Sequence, residues 1–226
     1  MEWLTSLLEN PGISVAMPTA IGETLIMMVI ASIATVIIGI PLGVVLFVTA
    51  PGGMAPVRWI NVVLSAIIVN ITRSIPYAIL MLALIPFTQW IVGTGIGPYA
   101  ACVSLTIGTA PFFARLVETA LRDIHSGKID AALVMGSTRF QVVRKVMLPE
   151  ALPGIMAGVT TMIVMVIGYS AMAGIIGGGG LGRLAYNYGF QRFDSQVMLA
   201  TLVVIVVLVQ LVQATGDWLT RKVDHR

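Results

Sequence analysis

Charged residues are scarce in this chain. Only 10% of its 226 residues are Asp, Glu, Lys or Arg, whereas 58% are hydrophobic. A soluble domain of this size carries about 25% charged residues and about half apolar ones. A protein core of this size cannot bury so many apolar residues, so we expect lipid to surround the remaining ones. The formal net charge of +3 is too small to indicate a nucleic-acid partner.

Cysteine and histidine are equally scarce, which excludes several kinds of site. The single cysteine, Cys102, cannot form an internal disulfide, and no cluster of metal ligands accompanies it. The two histidines, His125 and His225, lie far apart among charged neighbours, as solvated surface histidines do. No catalytic residues and no metal site are predicted, and an intramembrane enzyme is disfavoured.

Long apolar runs predict an all-α membrane protein with five transmembrane helices in a single domain, residues 1–226. About 20 apolar residues cross the hydrocarbon layer, and prolines and glycines mark the turns between runs. The 34 charge-free residues between Glu23 and Arg58, for example, hold one span and the turn at Pro51. The predicted spans lie at about 21–49, 59–84, 99–122, 154–176 and 196–216.

Glycines and prolines also set local expectations. Gly39 and Gly43, four residues apart in span one, predict the close approach of a neighbouring helix. Elsewhere these residues are expected to interrupt helices: at Pro86 and Pro98 after span two, at Pro149 and Pro153 before span four, and at 177–182, which opens a loop to about residue 195.

The basic residues predict the orientation of the chain, because Lys and Arg concentrate in cytoplasmic segments. With the N-terminus outside, the outer segments hold only Arg183 and Arg192. Ten of the 13 basic residues then lie inside: Arg58, Arg115, Arg122, Lys128, Arg139, Arg144, Lys145, Arg221, Lys222 and Arg226. The N-terminus is therefore predicted outside, and both the C-terminus and the polar stretch 115–150 in the cytoplasm.

The polar stretch carries a helical pattern through 128–148, which Gly136-Ser137-Thr138 interrupts. Ser137 or Thr138 is placed to cap a second short helix. Periodicity alone leaves an alternative open, in which this segment lies on the membrane with its basic residues against anionic lipid.

The residues of this stretch resemble the cytoplasmic loop of permease subunits in bacterial ABC importers. Asp130-Ala131-Ala132 is followed after three residues by Gly136, and after nine more by Val146-Met147-Leu148-Pro149. The family pattern has the same spacing, with Glu in place of Asp and Ile in place of Val. The resemblance implies a type I ABC importer permease fold with a coupling loop at 128–150 that docks on an ATPase subunit. It assigns the coupling to Asp130, Ala131, Ala132, Gly136, Val146, Leu148 and Pro149.

Other segments resemble the methionine-importing branch of this family. They include Gly168-Tyr169-Ser170-Ala171-Met172, the glycine run 177–182 and the stretch from Tyr188 to Phe193. The resemblance implies a permease of the bacterial inner membrane that moves L-methionine, with D-methionine as a further candidate, by alternating access. The implied partners are a second copy of the chain, two ATP-binding cassette subunits on the cytoplasmic face, and a periplasmic or lipid-anchored methionine-binding protein.

Hydrolysis of ATP is expected on another chain. The pair Gly127-Lys128 is followed by Ile129 and has no glycine five residues before it, so no P-loop is present. No cofactor is predicted here; ATP and magnesium would bind to the ATPase subunit.

Candidate pathway residues follow from helix faces. Met162, Met165, Tyr169 and Met172 share one face of span four, either as a gate on the translocation path or as ordinary helix packing. Arg73 is costly inside a membrane and should face protein or water, with Glu23 or Glu118 as partner candidates.

Two alternatives remain. The glycine run is either a flexible connector or part of a docking rim for a binding protein, together with Arg183, Arg192 and Asp194. The chain could also import another amino acid or small solute. A secondary transporter is disfavoured, because spans two to five carry no carboxylate near their midpoints.

Overall fold

The helices of the chain were located in a computed structural model, which describes residues 10–224 and their side chains except those of 67–69 and 73. All regular structure in residues 10–224 is helical, which confirms the all-α prediction. The helices are α1 (Gly12–Thr49), α2 (58–74), α3 (Tyr77–Ala83), α4 (Ile85–Val92), α5 (Pro98–Arg122), α6 (Ser126–Val134), α7 (Arg139–Gly178), α8 (180–190) and α9 (Ser195–Val223).

Four helices within the described residues, α1, α5, α7 and α9, are long and apolar enough to cross a membrane, rather than the five predicted. The segment predicted as span two, 59–84, is not one helix. α2 ends at Ser74 and α3 begins at Tyr77, with Pro76 between them in an extended conformation. Proline lacks the N–H that a helix needs and disfavours the helical conformation of the preceding residue, so α2 ends before Ile75. The loop predicted from Pro86 is also partly helical, since α4 tolerates that proline in its first turn.

The prolines before span four do not end a helix, contrary to the prediction. α7 begins at Arg139, 15 residues before the predicted start, and contains both Pro149 and Pro153. A π-helical stretch, Val143–Met147, ends two residues before Pro149. A wider turn of this kind is one way in which a helix absorbs the missing N–H of a proline. The second helix of the polar stretch is therefore the start of a 40-residue helix rather than a short separate one.

The glycine run breaks the helix as predicted, but the loop to residue 195 is largely helical. Gly177 and Gly179 have φ of 106° and 86°, and α8 starts at Gly180. The first N–H groups of a helix lack partners within it. Two side chains of α1 act as these partners. Glu23 Oε2 accepts from the N–H of Gly180 at 2.5 Å, and Thr24 Oγ1 accepts from the N–H of Leu181 at 2.9 Å.

The remaining boundaries differ from the predicted spans mainly in length. α1 begins at Gly12 rather than near residue 21, and α9 continues to Val223 rather than 216. α5 starts within one residue of its predicted position and ends at Arg122 as predicted.

The chain forms two compact units. The first comprises the described residues up to Ala34, together with Ile75–Gly108 and Ile163–Val212. A cluster of buried side chains holds it together: Met17, Ala20, Leu181, Leu184 and Val197. The second unit comprises Thr35–Ser74, Thr109–Met162 and the described residues from Gln213 onward. Its buried side chains include Leu46 and Ala114, packed against Leu42 and Leu64.

Within the second unit, α1 and α5 approach closely at two glycines of α1. A Cβ atom on Gly39 would lie 2.5 Å from the Phe113 ring, and one on Gly43 would lie 2.6 Å from the carbonyl oxygen of Ala114. The predicted close approach is confirmed at both glycines, and at Gly43 the neighbour is backbone, which only a residue without a side chain can approach so closely.

We expect Gly43→Ala to lower the thermal unfolding temperature of the purified protein, at a cost of about 1–3 kcal/mol, because the new methyl group meets backbone that cannot move aside. Gly22→Ala is the matched control, since its Cβ would meet nothing within 4 Å. It should leave the temperature unchanged or raise it slightly. Equal behaviour of the two variants would contradict the close approach.

Candidate functional site

The junction between α6 and α7 is stiff because both helix ends are capped. The N–H groups of Gly136 and Ser137 donate to the carbonyls of Leu133 and Ala132 at 3.0 and 3.1 Å, which is a Schellman motif. Gly136 has φ of 84°, the left-handed conformation that this motif requires. Thr138 then caps α7 as predicted, with a capping box in which its hydroxyl and the Gln141 side chain each accept from the other residue's N–H.

An apolar surface stands out from this junction. Val134, Met135 and Phe140 expose 87%, 86% and 71% of their area, and Leu133 is exposed beside them. Exposed apolar clusters of this kind mark protein–protein or membrane contacts. The junction thus presents a rigid, apolar projection that can be docked against a partner.

The residues predicted to couple to an ATPase divide into two groups. Asp130, Ala131 and Gly136 are exposed on α6 and its C-terminal turn, and Ala132 is half-buried there. The second group, Val146, Leu148 and Pro149, lies in α7, where Val146 and Leu148 are half-buried. The structure therefore leaves most of the first group, and Pro149 of the second, accessible to a partner, whereas Val146 and Leu148 are half-buried in α7.

α6 is tied to α7 by packing and charge. The side chains of Ile129, Val142 and Met147 are buried, and Lys128 forms an ion pair with Glu150. His125 caps the start of α6 by accepting from the N–H of Gly127 at 3.2 Å. A push on α6 would consequently reach α7 directly.

The predicted gate residues differ in environment along α7. Met162 is completely buried in the second unit, which favours the packing alternative for that residue. In the first unit, Tyr169 stacks on Tyr77 of α3, with ring centroids 4.4 Å apart, and the hydroxyl of Tyr77 is hydrogen-bonded to Ser104. Met165 is half-buried and Met172 is 49% exposed, so Met172 has the greatest freedom to line a path.

The side chain of Arg73 lies outside the described part of the structure. Both of its candidate partners have other contacts: Glu23 caps α8, and Glu118 binds two arginines of its own helix. The partner of Arg73 stays a prediction.

A charge cluster on α5, built around one buried carboxylate, was missed from the sequence. Glu118 is 3% exposed and accepts from Arg115 and Arg122, each at 2.6 Å. Arg115 also donates to the Ser65 hydroxyl at 2.8 Å and to the Asn70 side chain at 3.2 Å, which anchors α2. The i, i+3 and i+4 spacing of the three charges was a signal that could have indicated their pairing.

Asp194 caps the start of α9 by accepting from the N–H groups of Gln196 and Val197. A hydrogen bond from the Asn10 side chain, at 2.9 Å, is the main reason why the pKa of Asp194 lies below its usual value. The carboxylate therefore stays charged and keeps this end of α9 in place.

Four helices long and apolar enough to cross a membrane are typical of an integral membrane protein. Residues 39–226 match the family of binding-protein-dependent transport system inner membrane components, and the chain belongs to that family. The predicted family and inner-membrane location are confirmed.

Particular relatives are similar over most of their length. The chain is 51% identical over 208 residues to the probable D-methionine transport system permease protein MetI of Vibrio cholerae, covering 92% of both chains. It is 44% identical to the methionine import system permease protein MetP of Bacillus subtilis, covering 80% of this chain and 81% of the relative. Among solved structures, an inward-facing form of the MetNI methionine ABC transporter is similar with a TM-score of 0.90 and 47% identity, covering 92% of this chain and 95% of that one.

We expect Glu118→Gln to destabilise the protein by about 1–3 kcal/mol, because the half-buried Arg115 and the exposed Arg122 lose the charge of the buried carboxylate that they share. Thermal unfolding of the purified protein measures this loss. Asp217→Asn, an acid-to-amide change at an exposed position of α9, is the control and should have little effect. Equal stability of the two variants would contradict the importance of the charge cluster.

Proposed function

We propose that this chain is the permease subunit of an ATP-driven importer that moves methionine across the inner membrane. The observation that carries the proposal is 51% identity along 92% of both chains to a probable D-methionine permease. D- and L-methionine are both substrate candidates. Relatives from Vibrio cholerae and Bacillus subtilis both bear methionine-transport names, which favours methionine over another amino acid.

The broken segment 58–83 would provide a fifth crossing in this proposal. About 20 helical residues span the hydrocarbon layer, and α2 and α3 together exceed that length. An odd number of crossings leaves the termini on opposite sides. The distribution of Lys and Arg supports an N-terminus outside and a cytoplasmic junction between α6 and α7.

The working assembly would be a dimer of this chain with two ATPase subunits below and a methionine-binding protein above. Apolar side chains of α9 that are exposed in the single chain support a second copy or lipid against that helix: Leu199, Leu202, Val203, Val206 and Val207. ATP and magnesium would bind to the ATPase subunits, since this chain has no P-loop.

The junction between α6 and α7 would transmit the movement of the ATPase. Its exposed apolar side chains supply a docking surface, and its two caps prevent the loop from absorbing the displacement. α7 continues as one helix from Arg139 to Gly178, so a movement at its start reaches the segment that carries Tyr169 and Met172. Access to the path would then alternate between the two sides of the membrane.

Reconstituted transport tests this function. The chain is combined with its ATPase and binding protein in proteoliposomes, and uptake of labelled L- and D-methionine is followed with and without ATP. ATP-dependent methionine uptake is expected. Uptake of a different amino acid with no competition from methionine would refute the substrate while leaving the family assignment intact.

Docking of the ATPase can be tested at Ala131. We expect Ala131→Leu to weaken co-purification of the ATPase, because a larger side chain on this exposed helix face prevents close approach. Ala214→Leu, at an exposed position of α9, is the matched control and should retain the ATPase. The docking role would be refuted by a stable complex with normal transport in the Ala131 variant.

A gate role for Met172 makes a separate prediction. Met172→Ala should assemble normally but raise ATP hydrolysis uncoupled from uptake, or leak, because the half-exposed side chain no longer blocks the path. Met172→Leu keeps nearly the same volume and should behave like the wild type. Wild-type hydrolysis and no leak in the alanine variant would exclude the gate.

A further inference from the structure

A cavity of about 580 Å³ opens in the first unit between α1 and α8. Cavities that hold small ligands usually measure about 300–1,000 Å³. Its walls come from the first turns of α1 and from residues 180–192, which Glu23 and Thr24 hold in place. The coupling junction and the predicted gate make no use of this space.

Charges of both signs line this cavity. Glu23 lies on the α1 side, and Arg183 and Arg192 on the α8 side. Within residues 10–224, neither arginine lies within ion-pair distance of a carboxylate. Arg192 instead lies over the Tyr188 ring, 4.3 Å from its centroid. One oxygen of Glu23 accepts from the N–H of Gly180, which leaves Oε1 to accept from a ligand.

Apolar side chains line the rest of the cavity. Val15, Ala16 and Ala20 contribute from α1, and Leu184 from α8. Asn187 and Gln191 follow one another on successive turns and add hydrogen-bonding groups. The lining thus combines a carboxylate, two guanidinium groups, side-chain amides and an apolar wall.

We propose that this cavity binds a free α-amino acid with an apolar side chain, as the zwitterion, at the outer end of the permease. The Glu23 carboxylate accepts from the α-ammonium group, Arg183 donates to the α-carboxylate, and the apolar wall contacts the side chain. The assignment to the outer end, and to methionine as the ligand, rests on the proposed function. The site would receive the substrate after its release from the binding protein.

A phosphatidylethanolamine headgroup offers the same pair of charges, so the test must separate the two sources. Binding of labelled methionine is measured at equilibrium on the permease–ATPase complex, without binding protein, in nanodiscs of phosphatidylglycerol alone. Adding phosphatidylethanolamine to the nanodiscs should leave the methionine affinity unchanged. A strong loss of affinity would assign the cavity to the lipid and overturn the proposal.

The variants remove one charge each. Arg183→Gln should weaken methionine binding about tenfold, which corresponds to about 1.4 kcal/mol, the scale of one charge-assisted hydrogen bond. Glu23→Gln should do the same while its amide oxygen still caps Gly180. Arg58→Gln, an equal change of charge at an exposed position of α2, is the control and should bind as the wild type does.

Two methionine derivatives, each lacking one charge of the ligand, test which charged group each residue contacts. N-acetylmethionine lacks the ammonium group, so Glu23→Gln should not weaken its binding further. Methionine methyl ester lacks the carboxylate and should be insensitive to Arg183→Gln. Thermal unfolding at the wild-type temperature confirms that each variant is folded, because the Gly180 contact is retained.

The outcomes distinguish this site from the function itself. Uptake of methionine by the wild-type transporter, together with binding that is absent or unchanged in both variants, would overturn the cavity site and leave the transport function standing. Absence of methionine uptake in proteoliposomes would overturn the proposed function on its own.

Discussion

The first N–H groups and the last C=O groups of a helix have no partners within it, and this constraint governs how the chain leaves and re-enters a helix. After the break at Gly179, the first N–H groups of α8 donate hydrogen bonds to two side chains of α1. The Glu23 carboxylate therefore has a structural role: it caps α8, and this hydrogen bond offsets part of the free-energy cost of placing a charge there. The same contact shapes the cavity beside it, so the cap and the proposed ligand site depend on one another.

The junction between α6 and α7 meets the constraint with local caps instead of distant ones. The Schellman turn at Gly136 and the capping box at Thr138 follow each other directly, so little of the loop is free to flex. Stiffness has a functional consequence, because a loop that bends would dissipate the movement of a docked partner. The exposed side chains of Val134 and Met135 provide a contact surface for a partner. The uninterrupted α7 would carry a displacement from the junction along the helix.

Much of this architecture could be predicted from the sequence, because composition and glycine spacing report directly on lipid and on backbone contact. Gly39 and Gly43 meet the neighbouring helix as expected. The prolines were misjudged for a physical reason: Pro76 ends a helix, whereas Pro149 follows a π-helical stretch and does not. Their local sequences do not separate the two cases. The stacking of Tyr77 on Tyr169 joins residues distant in the chain, which helical periodicity cannot reveal.

In the proposed mechanism, the α6–α7 junction receives force from a separate ATPase. The most direct measurement places a photo-crosslinking amino acid at Met135, the most exposed tip of the junction after Val134. Irradiation of the assembled transporter in membranes, followed by mass spectrometry, identifies what lies against this residue. If the junction docks on the ATPase, a crosslink to the ATPase subunit is expected. Crosslinks to lipid or to a second permease alone, in complexes that retain the ATPase, would contradict it.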